Sequence, residues 1–589
     1  MRKMERGINQ VLFYFTPRRT FDSDGIYMVD RIEGEELTGI NRRLLTRYIS
    51  HGISRFRFRG FPPRPDNPEG YVFLKPKRVI AFLYPPVYRC ISCRRVVLVD
   101  HPDRMPGNVM KCQVCGGILR QIHHVMVCRC GNIQEMRIPE CKEHGTRSID
   151  LDDANKERYA DFVWRCLECG RIVDRSLRRV CSACGSRMEP AVHRSSKAYQ
   201  VHHVTLIDFP EAEPALLESP ENVCLLLGAL LKVFRHPEER LSDYLDMDDQ
   251  LLIQVARKYP GKAEELMRIF RESSESRRQE IIQRVREIAG ETLIDSIRPR
   301  TVRIYEFLRV MEDENIGVRS LRDMIEADGI QGGQARSSME FLRKFGISDI
   351  YYTSGFPVLT AVYGYTRLWS YENEGTGEYV LTAFPPVQGK TPVYATRNLS
   401  EAIIIQLDPV SVYRWLWNNG QFRGDIPESR EVCHVEILRR MESVERYSPS
   451  AGKSEFTRIV FGLQHTISHL LMRQASVLSG MERTSIGEFH FPEALSFAIY
   501  SIAAEGTPLG GFLTLIEQNL REWIRGAFDA GKYCIYDPVC RSHEASCHAC
   551  THVSEMSCQF FNDPGYLNRN LIYGSENLTG FLDVLVRRI

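Results

Sequence analysis

The chain reads CISC at residues 90–93 and KCQVCGG at 111–117, and similar motifs follow at VCRCG (127–131), CKEHG (141–145), CLECG (166–170) and CSACG (181–185). Eleven of its eighteen cysteines lie between Cys90 and Cys184. A CxxC turn brings two thiolates to one point, and structural Zn²⁺ takes four N or S ligands in a tetrahedron. The sequence therefore predicts a row of zinc ribbons.

Pairing neighbouring motifs in chain order uses twelve ligands and gives three complete sites. The first and third sites would hold Cys90, Cys93, Cys112 and Cys115, and Cys166, Cys169, Cys181 and Cys184. The middle site would hold Cys128, Cys130, Cys141 and His144, although His123 or His124 could replace one of these ligands. Glycines at 116, 131, 170 and 185 follow second ligands, where a tight turn needs a positive φ.

Disulfides are the alternative use of so many cysteines. The first residues, MRKMERGINQ, lack the apolar core of a secretory signal, and cytosolic thiols stay reduced. The longest apolar run, near residues 223–234, is too short to span a bilayer. We therefore expect a soluble, cytoplasmic zinc protein with no membrane association. A ribbon can also serve only to staple a small loop, which is the modest interpretation of each site alone.

Charge is unevenly distributed along the chain. Residues 1–205 carry 36 Lys and Arg against 22 Asp and Glu, a difference of +14, whereas the remainder carries 41 against 53, a difference of −12. A basic half favours a polyanionic partner, and DNA is the candidate. The alternative is an electrostatic contact between the two halves of the chain.

Two arginine-rich stretches are candidates for the nucleic-acid surface. In SRFRFRGFPPRP (54–65), strand periodicity would place Arg55, Arg57 and Arg59 on one face and Phe56 and Phe58 on the other. Guanidinium groups contact phosphates, and exposed aromatic rings stack on unpaired bases. An edge strand with a buried Phe face is the competing interpretation. A second set lies in the third ribbon: Arg171, Arg175, Arg178 and Arg179.

Periodicity predicts an α+β multidomain protein. We expect a basic N-terminal domain with short strands (1–85), a zinc-ribbon array (86–209), a helical domain (221–345), a mixed β region (346–450) and a C-terminal α/β zinc-binding domain (451–589). Apolar residues at i, i+4 and i+7, such as Ile281, Val285 and Ile288, mark the helical domain. An acidic, proline-bearing linker precedes it at 210–220.

No motif for ATP hydrolysis or nuclease chemistry stands out. FPPVQGKTP (384–392) contains Gly-Lys, but a phosphate loop needs Gly five residues earlier, where Phe384 stands. His465 and His469 share one face of an amphipathic helix without the Glu of an HExxH site, so packed histidines are the favoured interpretation and a metal the minor one. We therefore expect a protein that is not an enzyme.

The C-terminal stretch KYCIYDPVCRSHEASCHACTHVSEMSC (532–558) predicts a fourth zinc ion. The chosen ligands are Cys540, Cys547, Cys550 and Cys558. Cys534 lies in an apolar, strand-like run and is assigned to the core, and His543 remains an alternative ligand.

These C-terminal residues carry a resemblance to a known family. HTISHLLM (465–472), SFAIYSIAAEGTPLGGF (496–512) and the last cysteine cluster resemble the MrfA-type zinc-binding domain, which accompanies DNA helicases. Together with AVYGYTR (361–367), they resemble the DrmB family of the DISARM anti-phage systems. The resemblance implies an accessory DNA-binding subunit that partners a DrmA-like helicase, with a DNA methyltransferase in the same system. A pure zinc scaffold, or a nuclease with an unrecognised site for which His465, His469 and Glu488 are the candidate residues, is the alternative.

Overall fold

The computed structural model describes residues 2–4, 8–100, 110–175, 177, 179–209, 217–234, 241, 263–327, 332–369, 378–444, 450–502, 510–554 and 557–586. It divides the chain into two compact units, one of residues 1–210 and 359–397 and the other of 211–358 and 398–589. The predicted α+β class with several cysteine clusters is confirmed. Most of the predicted acidic linker, Arg178, and residues 505–509 of the EGTPLGG turn lie outside the described residues.

The first unit is built mainly from strands. Its longest strand that lies wholly within it, Tyr71–Leu83, pairs antiparallel with Ile26–Glu36 and Arg2–Met4. Pro76 lies within this strand, and the register shifts where Gly34 pairs with it. A Cβ at position 34 would stand 2.5 Å from the Lys75 carbonyl oxygen, so the close approach requires glycine. The other strands outside the ribbons are Thr20–Asp22, Arg57–Arg59, Gln200–Ile207 and Val380–Ala383. Two long strands, Ile347–Thr366 and Thr391–Leu407, each contribute residues to both units.

The N-terminal region is more helical than predicted. Helices occupy Ile8–Tyr14 and Arg42–Ser54, and Asn41 caps the second by accepting a hydrogen bond from the Leu44 N–H. Because Arg55 is the C-terminal cap of that helix, the strand that follows is only Arg57–Arg59, and all three of its residues are exposed. The prediction that Arg55 shares a strand face with Arg57 and Arg59 is therefore wrong, and the competing interpretation of a buried Phe face does not hold for the exposed Phe58.

The ribbons form three small antiparallel sheets. In strand order these are Val96–Leu98, Val87–Cys90 and Leu119–Gln121; then Ile133–Gln134, His124–Val127 and Glu189–Val192; then Ile149–Asp152, Val163–Cys166 and Ile172–Asp174. In the second sheet, the strand before Cys128 pairs with the strand after Cys184, 62 residues apart at Val127 and Glu189. This long-range pairing decides which cysteines meet.

Arg367, the last residue of AVYGYTR, organises the interior of the first unit. Its buried guanidinium donates to the carbonyl oxygens of Gly131 (3.0 Å), Arg18 (2.8 Å) and Ala198. It also lies 5.2 Å from the ring centre of Tyr199 and 5.1 Å from that of Tyr365. One side chain thus ties together segments that are far apart in sequence.

The second unit is mainly helical, and in the described residues between 221 and 345 helices predominate, as predicted. Its helices are Pro220–Leu230, Ala263–Ile297, Thr301–Glu312, Leu321–Ala327, Gly332–Arg343, Pro409–Asn418, Arg430–Arg440, Glu455–Ser479, Gly511–Gly531, Val539–Ser542, Asn570–Tyr573 and Phe581–Val586. Short strands lie at Arg319–Ser320, Ile486–Phe491 and Ser496–Ser501, the last two forming a hairpin. Within the described residues, no helix has the length and apolarity needed to cross a membrane.

Glu455–Ser479 is the central helix of the second unit. Ser454 caps its start by accepting from the Thr457 N–H, and Gly480 ends it with a φ of 71°. The helix is buried over most of its length and packs against Gly511–Gly531 and the hairpin. This placement brings His465 and His469 into the interior.

Candidate metal centres

The first ribbon cluster has the predicted composition. The Sγ atoms of Cys90 and Cys115 lie 3.4 Å apart and those of Cys93 and Cys112 3.7 Å apart, and all four lie within 4.8 Å of one another. The backbone N–H groups of Cys93 and Gly117 point at Sγ of Cys90 and Cys115, at 3.5 and 3.4 Å. Four converging thiols with N–H donors suit a thiolate site for Zn²⁺.

The other eight ribbon ligands group differently from the prediction. Cys128 and Cys130 meet Cys181 and Cys184, whereas Cys141 and His144 meet Cys166 and Cys169. The pairing of motifs in chain order is therefore wrong for these two sites, although the same eight side chains are used. The cause is the strand pairing described above, which brings the first motif of this region to the last.

Distances within both regrouped clusters are short. Sγ–Sγ separations are 3.5 Å for Cys128 and Cys184 and 3.6 Å for Cys130 and Cys181. In the other cluster His144 Nδ1 lies 3.7 Å from Cys141 Sγ and 3.6 Å from Cys166 Sγ. His123 and His124 belong to neither group, since His124 contacts Tyr159 instead. The four glycines after second ligands all have positive φ, as expected.

The C-terminal cluster differs from the prediction in one ligand. Cys534, Cys540, Cys547 and Cys550 converge, with Sγ–Sγ distances of 3.5 Å for Cys534 and Cys547 and 3.7 Å for Cys540 and Cys550. The assignment of Cys534 to a strand core is wrong, because residues 534–537 form a turn in which the Tyr536 N–H points at Cys534 Sγ. His543 is exposed and is not a member.

Each of these four clusters contains one thiol whose pKa is lowered to near neutrality. Against the effect of burial, hydrogen bonds from Arg95 lower the pKa of Cys93 to about 6. The backbone N–H of Glu143 and the His144 ring lower that of Cys141 to about 6, and Ser186 lowers that of Cys184 to about 6. Against burial again, the Ala549 and Cys550 N–H groups lower that of Cys547 to about 7. Metals bind the thiolate, so a lowered thiol pKa in each cluster favours metal binding near neutral pH.

Cys558, the remaining predicted ligand, lies in a different group. It is fully buried and faces His465, His469 and Glu488, whose donor atoms all lie within 4.8 Å of one another and of its Sγ. The sequence offered His465, His469 and Glu488 as a candidate group but placed Cys558 with its neighbouring cysteines, because Cys558 is distant in sequence from the other three.

The residues predicted to bind nucleic acid differ in their solvent exposure and in whether they form ion pairs. Arg57, Arg59 and Arg175 are exposed, while Arg55 is half-buried beside Phe56. Arg171 pairs with Glu143 (2.5 Å) and Arg179 pairs with Glu135 (2.9 Å), so both serve to connect ribbon segments. Phe56 packs against His202 and Trp369, whereas Phe58 is 45% exposed.

A basic groove among the ribbons was not predicted. Four exposed cationic side chains line it: Lys111, Arg137, Arg147 and Arg187. Within the described residues, none of the four forms an ion pair with a carboxylate. They stand singly in the sequence, so no charge run marked them, and only the ribbon fold brings them together.

Comparison with known proteins bears on the same region. Residues 7–200 match a protein family described as Domain of unknown function (DUF8724). The chain is similar to DISARM protein DrmB of Bacillus paralicheniformis. The two are 28% identical over 186 residues, which make up 29% of this chain and 31% of the relative. The chain thus matches about a third of the length of DrmB, and the resemblance to DrmB is confirmed, while the MrfA-type assignment of the C-terminal segment stays a prediction.

Proposed function

We propose that this protein is a zinc-binding accessory subunit of a DISARM-type anti-phage system, which binds DNA and partners a helicase. The observation that carries the proposal is the set of three ribbon clusters with a basic groove in the first unit, together with a fourth cysteine cluster in the second unit, in a chain similar to DrmB. DNA binding, the helicase and the methyltransferase are inferences from this chemistry and this similarity.

Zinc suits the four clusters because of their donor atoms. Three offer four thiols and one offers three thiols and an imidazole, the ligand sets that structural zinc prefers. Four protein ligands leave no open coordination position, so zinc would cross-link segments rather than activate water. The thiols with a lowered pKa, such as Cys93 and Cys184, favour metal capture near neutral pH.

The groove supplies the surface for DNA. Its four exposed cations have no carboxylate partner among the described residues, and its Glu135 is paired with Arg179. Unpaired cations attract phosphates and release their counterions, which produces a steep dependence of affinity on salt. Exposed Arg57, Arg59 and Arg175 would extend this surface within the first unit.

The helicase would come from another chain. Gly389 and Lys390 belong to a tight turn closed by a bridge between Val387 and Lys390, and a strand rather than a helix begins at Thr391. This is not the strand–loop–helix geometry that cradles a nucleotide phosphate. We therefore expect ATP turnover only when a DrmA-like partner is added, and ATP hydrolysis or metal-dependent DNA cleavage by the purified chain would contradict the accessory role.

Neutralising the groove tests the DNA-binding proposal directly. A variant with Ala at all four groove cations should bind DNA more weakly, and the slope of log affinity against log salt should fall by about 0.9 for each lost duplex phosphate contact. The matched control removes four exposed cations from the second unit: Arg322, Arg343, Lys344 and Arg423. Equal losses in both variants would indicate net charge alone, and unchanged binding by a folded groove variant would refute the site.

Partnership is tested in cells and with purified proteins. Co-expression with the DrmA-like helicase and the methyltransferase of the same system should yield a co-purifying complex and protection in phage plaque assays. The groove variant should retain assembly but lose protection. Absence of any complex with the helicase, with the wild-type chain folded and loaded with metal, would overturn the accessory role.

A further inference from the structure

His465, His469, Glu488 and Cys558 form a polar group inside the apolar core of the second unit, and each is 0–1% exposed. The histidines lie one turn apart on the helix Glu455–Ser479, Glu488 lies on the strand Ile486–Phe491, and Cys558 follows the C-terminal cysteine cluster. Three distant segments therefore contribute to one point. A buried carboxylate is strongly destabilising unless a cation or several donors compensate it.

We propose that these four side chains bind a fifth metal ion, of the Zn²⁺ class. His465 Nε2 lies 3.0 Å from Glu488 Oε1 and 3.3 Å from Cys558 Sγ, and His469 Nε2 lies 3.4 Å from the same carboxylate oxygen. These separations are those of donor atoms around a common centre about 2.0–2.3 Å from each, given the usual Zn–N, Zn–O and Zn–S bond lengths.

The tautomer of His469 supports a cation at this centre. Its Nδ1 lies 2.9 Å from the Thr551 carbonyl oxygen, which can only accept, so Nδ1 carries the proton. In the neutral ring, Nε2 then presents a lone pair to a carboxylate oxygen that also only accepts. A metal ion between these two atoms would accept a lone pair from each. A hydrogen bond from the other ring nitrogen to a backbone carbonyl is the usual support of a metal-binding histidine. The alternative is that the His469 ring carries a second proton, and counting the bound metal ions distinguishes the two cases.

The second oxygen of Glu488 is held from outside the centre. Ser468 Oγ donates to Oε2 at 2.7 Å, and His490 Nε2 lies 2.9 Å from the same atom. The Gln464 side-chain N–H₂ group donates to His490 Nδ1 at 3.0 Å, which places the remaining ring proton on Nε2. Among the described residues, the ion-pair partners of Glu488 are histidines, with no Lys or Arg. Oε1 is thereby left facing the two other histidines and the thiol.

Cys558 Sγ accepts the same kind of backbone hydrogen bond as the ribbon cysteines, although burial and the Glu488 carboxylate raise the pKa of this thiol well above its usual range. Its Sγ accepts from the backbone N–H groups of Phe560 and Asn562, both at 3.3 Å. Comparable N–H contacts stand at Cys90 and Cys115 of the first ribbon. Hydrogen bonds of this kind favour the charged form of an acceptor. A cysteine serving only as an apolar core residue would not need two such donors.

The set of ligands points to a structural role. Two nitrogens, one oxygen and one sulfur complete a tetrahedron. The site is enclosed by aromatic side chains, since the ring centres of Phe461 and Phe560 each lie 5.5 Å from that of His465. Full burial leaves no path for substrate to an open position, unlike a catalytic zinc site. The ion would fasten the central helix, the hairpin and the segment that carries the C-terminal cysteine cluster.

Metal analysis of the full-length protein tests the proposal. Wild-type protein should contain five equivalents of metal, and His469→Ala and Cys558→Ser should each contain four. His434→Gln is the matched control, because His434 is also buried in the second unit, where its Nε2 bonds the Glu493 carbonyl. That variant should retain five. Four equivalents in the wild type, or no loss in the two variants, would overturn the proposal.

A second measurement covers variants that fail to fold. Wild-type protein loaded with ¹¹³Cd should give four NMR signals in the region of thiolate-rich sites and a fifth far upfield, since a single sulfur ligand deshields cadmium least. Absence of the fifth signal in a protein with four filled clusters would overturn the inference. The result is independent of DNA binding, because the groove belongs to the first unit.

Discussion

Pairs of cysteine substitutions distinguish the two possible groupings of the ribbon ligands. In the structure Cys184 shares a cluster with Cys130, and Cys169 belongs to another. Cys130→Ser with Cys184→Ser should therefore remove one metal ion, and Cys169→Ser with Cys184→Ser should remove two. Pairing in chain order predicts the reverse, two ions and then one, so the two groupings give opposite results.

Stability should follow the same pattern. A structural zinc site contributes an apparent binding free energy of about 10–16 kcal/mol, which is also folding free energy. The first serine in a site removes most of this contribution, so a second serine in the same site should add little. Substitutions in separate sites should add nearly in full, because additivity holds for sites that share no partners. The lowering of the melting temperature should therefore be clearly larger for Cys169→Ser with Cys184→Ser.

The number of bound metal ions is obtained by releasing them with a thiol-modifying reagent and measuring them with a colorimetric chelator. The single variants show how many ions each substitution removes on its own. Loss of two equivalents from the Cys130 and Cys184 pair, with one from the Cys169 and Cys184 pair, would refute the strand-pairing argument. Equal losses from both pairs would mean that the ribbons do not bind metal independently.

Other expectations concern the first unit. Arg367→Ala removes the donor of two buried carbonyl groups and of one part-buried carbonyl group, so the free energy of unfolding should fall by about 1–3 kcal/mol for each buried group left unsatisfied, in denaturant titration, whereas Arg175→Ala should change it by less than about 0.5 kcal/mol. Burial lowers the pKa of His202 to about 3 and that of His203 to about 4, below the ordinary 6.5. The stability that depends on these neutral rings is present above pH 6.5 and is lost as the pH falls towards 4, and His203→Phe should flatten this part of a melting-temperature profile. Phe58→Ala should weaken binding to single-stranded DNA by about 1–3 kcal/mol because the exposed ring is free to stack on bases, with an unchanged melting temperature; unchanged binding by the folded variant would refute a stacking role.

Local chemistry was predictable from the sequence, and long-range pairing was not. A CxxC motif is recognisable within four residues, so all twelve members of the three ribbon clusters were named from the sequence. Which turns meet depends on strands such as Glu189–Val192, whose partner His124–Val127 is far away in the chain. Short strands of similar composition carry no signal that ranks one pairing above another.

Two further errors have local physical causes. The alternation of Arg and Phe at 55–59 matches strand periodicity, but the preceding helix runs to Ser54 and takes Arg55 as its cap. Tertiary context overrides such a short pattern. Cys558 was grouped by proximity in sequence, whereas the fold buries it beside His465, His469 and Glu488, a group that the sequence offered without a thiol.

The regrouped ribbons are nested, which affects how they fold. The cluster of Cys141, His144, Cys166 and Cys169 lies entirely within the 50-residue loop between Cys130 and Cys181. Closing the inner site first shortens the loop that the outer site must close, and because loop entropy grows only with the logarithm of length, the gain is less than about 1 kcal/mol. This is small beside the binding free energy of a zinc ion, so the inner site aids the outer one without controlling it. The two clusters should therefore fill as nearly independent sites, which is the condition that makes the double substitutions of Cys130, Cys169 and Cys184 interpretable.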